Sequence, residues 1–141
     1  MTLTMLRSHW ALAALLSLPL AALAREPGPP NPLRGDARVL PQGAAAFEKH
    51  CAQCHGHESS QTPEGPDLRR LDTFCRKLQE PGLQDHCLKD VDTYYWRSVL
   101  EGKVRAGLRH MPAWQDVLPD DEIWAIKTYI ESRRPATAPP R

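Results

Sequence analysis

The sequence predicts an all-α protein of one small domain. Three segments repeat apolar residues at helical spacing, whereas no segment shows the strict alternation typical of a strand, so no substantial sheet is expected. The length of 141 residues suits one domain and is too short for two ordinary ones. A C-x-x-C-H motif at residues 51–55 ends the first helical segment. These observations predict three to five helices arranged around the group that this motif binds.

The first 24 residues have the pattern of a secretory signal peptide. Arg7 is followed by an apolar run over residues 11–23, and Ala22-Leu23-Ala24 is an A-x-A cleavage sequence. The run is shorter than the roughly 20 residues that a membrane-spanning helix needs. We therefore expect residues 1–24 to be cleaved on export to the periplasm, which leaves no membrane span in the mature chain. An uncleaved anchor is the alternative.

Proline marks the borders of the folded part. Residues 25–41 contain five prolines and are expected to form an extended N-terminal arm. Residues 135–141 are also rich in proline and are expected to be a disordered tail. The domain proper is then residues 42–134. A domain of this size leaves much of its surface exposed, so we expect a further stabilising element besides its core.

Each of the three expected helices has its own signal. The first spans about residues 43–54, where successive alanines favour a helix. The second lies near residues 92–100, with an aspartate as its cap and Gly102 as its stop. The third spans about residues 119–133, because acidic residues at its start and arginines at its end suit the helix dipole.

The charge balance excludes one class of partner. Arg7 is the only charged residue before residue 25, so the rest of the chain carries 17 Lys and Arg against 17 Asp and Glu. A formally neutral chain gives no support for a nucleic-acid partner. We expect a monomer.

The motif at residues 51–55 predicts a covalently attached haem c. Cys51 and Cys54 lie one helical turn apart and can add to the two vinyl groups on one porphyrin edge, which leaves His55 beneath the iron. A thioredoxin-like dithiol would need a βαβ context that is missing here. A zinc site would need a second pair of ligands, and Cys75 and Cys87 could supply it only across twelve residues.

The expected sixth ligand of the iron is Met111. It is the only methionine after residue 24, and Pro112 stiffens the irregular loop that we expect there. A methionine of the core is the plain alternative. His110 is the main rival ligand, ahead of His57 and His86.

The second pair of cysteines is expected to form a disulfide. Cys75 and Cys87 bracket Pro81-Gly82, a turn signal around which a hairpin could bring them together. An oxidising compartment favours the bridge, whereas two buried thiols are the alternative. A tryptophan or one of Arg69, Arg70 and Arg105 is a candidate for holding a haem propionate, and the sequence does not choose among them.

With these motifs in view, the sequence resembles the class I cytochrome c family over nearly all of its folded part. In that family the first and last helices cross closely, with a glycine and aromatic residues at the crossing. The resemblance also implies that the carbonyl of Pro66 accepts the ring N–H of His55. The matching residues are Gly43, Phe47, Cys51, Cys54, His55, Gly65, Pro66, Met111, Pro112, Ile126, Tyr129 and Ile130.

The resemblance implies an electron carrier and not an enzyme. Iron with His and Met as axial ligands has a raised reduction potential and no open site for a substrate. A narrower resemblance, resting on the Met-Pro-Ala-Trp loop and the extra cysteine pair, is to cytochromes that accept electrons from periplasmic quinoprotein (PQQ) alcohol dehydrogenases and pass them to a terminal oxidase. Two alternatives stay open: a permanent cytochrome subunit of a larger redox complex, and a peroxidase if Met111 is not a ligand.

Overall fold

The computed structural model describes residues 28–60 and 62–135, so the predicted signal peptide and most of the predicted C-terminal tail lie outside the described residues. Within this part the fold is mostly helical, which confirms the predicted class. None of its helices is long and apolar enough to cross a membrane. The elements are α1 (Leu40–His50), α2 (Ala52–His55), α3 (Pro81–Glu101), the strands β1 (Lys103–Arg105) and β2 (Leu108–Met111), and α4 (Asp120–Ser132), joined by short 3-10 turns.

The centre of the fold is the crossing of α1 and α4. Gly43 lies so close to α4 that a β-carbon there would collide with the carbonyl oxygen of Ala125. One turn later the rings of Phe47 and Tyr129 lie 5.6 Å apart, and Phe47 is fully buried. The crossing thus has the glycine and the aromatic pair that the resemblance implies. Helix α1 begins at Leu40, earlier than expected, because Pro41 fits a first helical turn, where no backbone donor is needed.

Helix α3 differs most from the sequence prediction. It begins at Pro81, eleven residues before the expected start, and no aspartate caps it. Instead, the Glu80 carboxylate accepts the backbone N–H groups of Gly82 and Leu83. The expected hairpin turn at Pro81-Gly82 is therefore wrong: proline stands in the first turn of a helix, a position that it favours. The predicted stop at Gly102 is confirmed, with φ of 70°.

A short antiparallel ribbon follows α3. Lys103 of β1 pairs with Met111 of β2, and Arg105 pairs with Leu108 across the turn. The irregular loop expected around Met111 is thus a strand end. The ribbon lies directly against the end of α3, because a β-carbon at Gly102 would collide with the carbonyl oxygen of Met111.

The described part of the proline-rich segment packs onto the helices. The backbone N–H of Asn31 donates to the carboxylate of Asp92 in α3, and its side-chain amide donates to Thr128 in α4. Thr128 in turn donates to the carbonyl of Leu33. The segment therefore follows the surface of the helices from residue 28 onward, and residues 40 and 41 belong to α1.

Candidate haem-attachment site

Helix α2 places the two motif cysteines. Cys51 is its N-cap and continues from α1, since its backbone N–H donates to the carbonyl of Phe47 at 2.8 Å. The N–H of His55 donates to the carbonyl of Cys51 at 3.0 Å, which closes one turn and brings both cysteines to one side of the helix. As free thiols both are half-buried. Burial, with a smaller contribution from Cys54, raises the pKa of Cys51 to about 12, so its thiol is protonated at neutral pH.

The imidazole of His55 is oriented by a backbone carbonyl. Its Nδ1 lies 3.2 Å from the oxygen of Pro66. With the proton on Nδ1 donated to that carbonyl, Nε2 carries a free lone pair and is the nitrogen that can bind iron. The hydrogen bond also fixes the ring plane and raises the basicity of Nε2. The structure therefore brings His55 and Pro66 together as the resemblance implies.

The loop that presents Pro66 depends on Thr62, a residue that the sequence analysis did not single out. Its hydroxyl donates to the carbonyl of Cys54 and accepts the N–H of Gly65 at 3.1 Å. A β-carbon at Gly65 would collide with the Cys54 carbonyl and lie 2.7 Å from Nδ1 of His55. Glycine there lets the loop approach α2, and the pattern T-x-x-G-P is the signal that could have identified Thr62.

Met111 packs against the same core as the attachment helix. It is half-buried and contacts the core together with Cys51, Leu100 and Trp114. The loop after it is anchored by the N–H of Trp114, which donates to the carbonyl of Val99 at 3.0 Å. Met111 is thus held at the edge of the core, where its thioether would be available as a ligand.

The rival histidines occupy other positions. His110 is exposed on β2. Nδ1 of His57 lies 2.6 Å from a carboxylate oxygen of Glu48, and His86 is an exposed neighbour of Asp90 on α3. Among the four candidates for the sixth ligand, Met111 is the one that packs against the core, as Cys51 also does.

Cys75 and Cys87 are joined by a disulfide, with 5.5 Å between their α-carbons. The chain reverses before α3 and not at Pro81-Gly82, because Leu78 is extended and follows a 3-10 turn that contains Cys75. The bridge occupies both thiols, so they cannot complete a zinc site with Cys51 and Cys54. This geometry disfavours the zinc alternative.

The donor set and its surroundings fit haem c. Two thiols one turn apart, a histidine with its Nδ1 proton already engaged and a thioether supply the attachment points and the axial ligands. The three arginines considered for a haem propionate differ in their surroundings. Arg69 and Arg70 both form ion pairs with Asp67, whereas Arg105 is exposed on β1. Half-buried apolar side chains that pack against the core are candidates for contact with a porphyrin: Leu68, Leu71, Trp96, Leu100 and Trp114.

Comparison with known proteins agrees with this site. The family model described as cytochrome c oxidase, cbb3-type, subunit III matches residues 38–130. Cytochrome c550 of Pseudomonas aeruginosa is 33% identical over 90 residues, which are 64% of this chain and 52% of that protein. Cytochrome c6 of Euglena gracilis is 28% identical over 62% of this chain and 85% of that protein. Cytochrome c6 of Tetradesmus obliquus is 33% identical over 64% of this chain and 86% of that protein.

The chain spans about half the length of the cytochrome c550 that it matches, and nearly all of the cytochromes c6. No solved structure matches significantly. The family match covers more than half of the chain and includes the C-x-x-C-H motif, the close crossing of α1 and α4, and Met111. The chain belongs to the class I c-type cytochromes, an electron-transfer family whose members carry covalently bound haem c.

Proposed function

We propose that this chain is a periplasmic one-electron carrier. Cys51 and Cys54 hold the haem covalently, and His55 and Met111 bind its iron. The observation that carries the proposal is the hydrogen bond from His55 Nδ1 to the Pro66 carbonyl, beside two thiols on one helical turn. When bound, the haem supplies a one-electron couple between ferric and ferrous iron.

The protein side chains set the conditions for that couple. The Pro66 carbonyl fixes the His55 ring, so its orientation changes little when an electron arrives. A thioether from Met111 favours the reduced state and raises the potential relative to two nitrogen ligands. If His55 and Met111 both bind the iron, no coordination position would remain for a substrate, and the haem would supply electron transfer only.

Export is supported by two features of the chain. The Cys75–Cys87 disulfide belongs in an oxidising compartment, and residues 1–24 have the signal-peptide pattern. The periplasm is an oxidising compartment that is reached through a signal peptide, so it accounts for both features.

For the donor we propose a quinoprotein alcohol dehydrogenase, with a terminal oxidase as acceptor. Support comes from the sequence resemblance given by the Met-Pro-Ala-Trp loop and the extra disulfide. A permanent subunit of a larger complex is the second candidate, since the matching family model is described as an oxidase subunit. A carrier should purify from a membrane-free periplasmic extract without other chains, whereas a subunit should co-purify with its partner chains.

The experiment is a reduction assay on periplasmically expressed holoprotein. The oxidised cytochrome should take up one electron per haem reversibly, and a quinoprotein dehydrogenase with its alcohol should reduce it within catalytic turnover times. Dehydrogenase alone and alcohol alone are the controls. Slow reduction by every quinoprotein tried, with fast reduction by another donor, contradicts the proposed partner and leaves the carrier role. Rapid turnover of peroxide contradicts the carrier role itself.

A further inference from the structure

The β1–β2 ribbon concentrates positive charge. Its sequence carries Lys103, Arg105 and Arg109, and no Asp or Glu occurs between Glu101 and Asp116. The chain after residue 24 is formally neutral, so this excess on one ribbon is balanced by acidic residues elsewhere. The ribbon is therefore a local basic patch on a formally neutral chain.

The ribbon cations are available to a partner. Arg105 and Arg109 are exposed, and neither forms an ion pair with any residue that the structure describes. Lys103 lies over the ring of the exposed Tyr94, with 4.4 Å from Nζ to the ring centroid. This contact holds the ammonium at the base of the ribbon without neutralising it.

Exposed apolar side chains lie among these cations. Val104 is 58% exposed and Leu108 is 67% exposed, and each pairs across the ribbon with an arginine, Arg109 and Arg105 respectively. Because paired residues share a face, Val104 lies beside Arg109 on one face of the ribbon and Leu108 lies beside Arg105 on the other. Weak electron-transfer complexes use small apolar contacts of this kind, which exclude water and still release the partner quickly. The charges beside these contacts steer the encounter.

We propose that this ribbon is the docking surface for an acidic redox protein. The surface, here called the basic ribbon, consists of Tyr94, Lys103, Val104, Arg105, Leu108 and Arg109. Charge complementarity selects an acidic partner and disfavours a basic one. Strand β2 ends at Met111, so a partner on the basic ribbon lies next to the proposed axial ligand. The inference rests on the proposed function, because it assigns the entry point of the electron.

The test compares two charge reversals of equal size. One variant carries Arg105→Glu and Arg109→Glu, and the matched control carries Arg76→Glu and Lys77→Glu in the exposed turn beside the disulfide. Reduced flavodoxin, a strongly acidic protein, is the probe: it loses one electron and the oxidised haem gains it. Stopped-flow absorbance gives the second-order rate constant at several salt concentrations.

At low ionic strength the ribbon reversal should lower the rate constant at least about tenfold, because steering between unlike charges accelerates association by that order or more. The control reversal should change it less than about twofold, as expected for charges away from the contact. The difference between the two variants should shrink as salt is added. With hexaammineruthenium(II), a cationic reductant, the ribbon reversal should raise the rate constant.

A second measurement reads docking without electron transfer. Oxidised flavodoxin should shift the amide NMR signals of residues 103–109 in the wild type and not in the ribbon reversal. Equal loss of rate in both reversals, or shifts centred on another surface, would overturn the docking proposal. If the wild type binds through the basic ribbon but takes up no electron, the carrier function fails and the docking surface stands.

Discussion

At the scale of single residues, the choice of the sixth ligand depends on the alternation of a strand. His110 and Met111 are neighbours on β2, so their side chains point to opposite faces of the ribbon. Met111 is half-buried and packs against the same core as Cys51, whereas His110 is exposed. One face of the strand therefore turns Met111 toward the core, and the other presents an imidazole to solvent.

Replacing Met111 should remove the sixth ligand and leave the haem attached. In oxidised Met111→Ala the weak far-red absorption band of methionine bound to ferric iron should vanish, and the reduction potential should fall, because the thioether stabilises the ferrous state. Visible spectroscopy and a redox titration measure both. His110→Ala is the matched control and should keep the band. A wild type that lacks the band, and whose potential changes in His110→Ala but not in Met111→Ala, would assign the ligand to His110.

At the scale of elements, the N-terminal half of α3 depends on its disulfide. Glu80 caps the helix, and Cys87 in its second turn is bonded to Cys75 in the preceding 3-10 turn. Much of this half is exposed. The side-chain amide of Gln84 donates to the carbonyl of Leu78 at 3.2 Å and adds a second link between turn and helix. The bridge is thus the additional stabilising element that a domain of this size requires.

Removing the bridge should lower stability without changing the haem spectrum. The double variant Cys75→Ser with Cys87→Ser should lose about 3 kcal/mol of unfolding free energy, since a closed loop of this length restricts the unfolded chain by about that amount. Urea unfolding followed by circular dichroism measures it. Reductant should shift the wild-type midpoint to that of the variant and leave the variant unchanged; a variant as stable as the oxidised wild type would contradict this role.

The elements that the sequence predicts well are those with local signals. Helix α4 has a proline before it and three acidic residues in its first turn, and it begins and ends within one residue of its expected bounds. The length of α3 is underestimated from the sequence, because Pro81-Gly82 is a turn signal that also fits the start of a helix. The ribbon was missed because its strands of three and four residues are too short for a visible alternation. Around His55, the C-x-x-C-H motif and the family resemblance identify the groups that can bind haem. Thr62 is not identified, because its role is to hold the backbone of Cys54 and Gly65 and not to bind the cofactor.

At the scale of the whole molecule, Asp92 connects three parts of the chain. Its side chain is 1% exposed, and its carboxylate accepts two hydrogen bonds from the Arg34 guanidinium, at 2.6 and 2.7 Å, and one from the Asn31 backbone. Nζ of Lys127 on α4, also 1% exposed, lies 3.6 Å away and 2.6 Å from Glu131. No sequence pattern indicates this cluster, because the three parts of the chain that meet there (residues 31–34, 92 and 127–131) are separated by more than 30 residues.

Asp92→Asn should therefore destabilise the whole domain and release its N-terminal segment. The variant leaves the buried Lys127 and the partly exposed Arg34 short of one negative charge, and breaking a buried ion pair from one side costs up to about 3–5 kcal/mol. Urea unfolding of the holoprotein measures this loss, and hydrogen exchange should show the Asn31 amide losing its protection while amides of α1 and α4 exchange only through global unfolding. Asp90→Asn, an exposed neighbour on α3, is the matched control and should change stability by less than about 0.5 kcal/mol. Equal effects of the two substitutions, or an Asn31 amide that stays protected in Asp92→Asn, would mean that the segment is held by its other contacts and that Asp92 does not join the three parts.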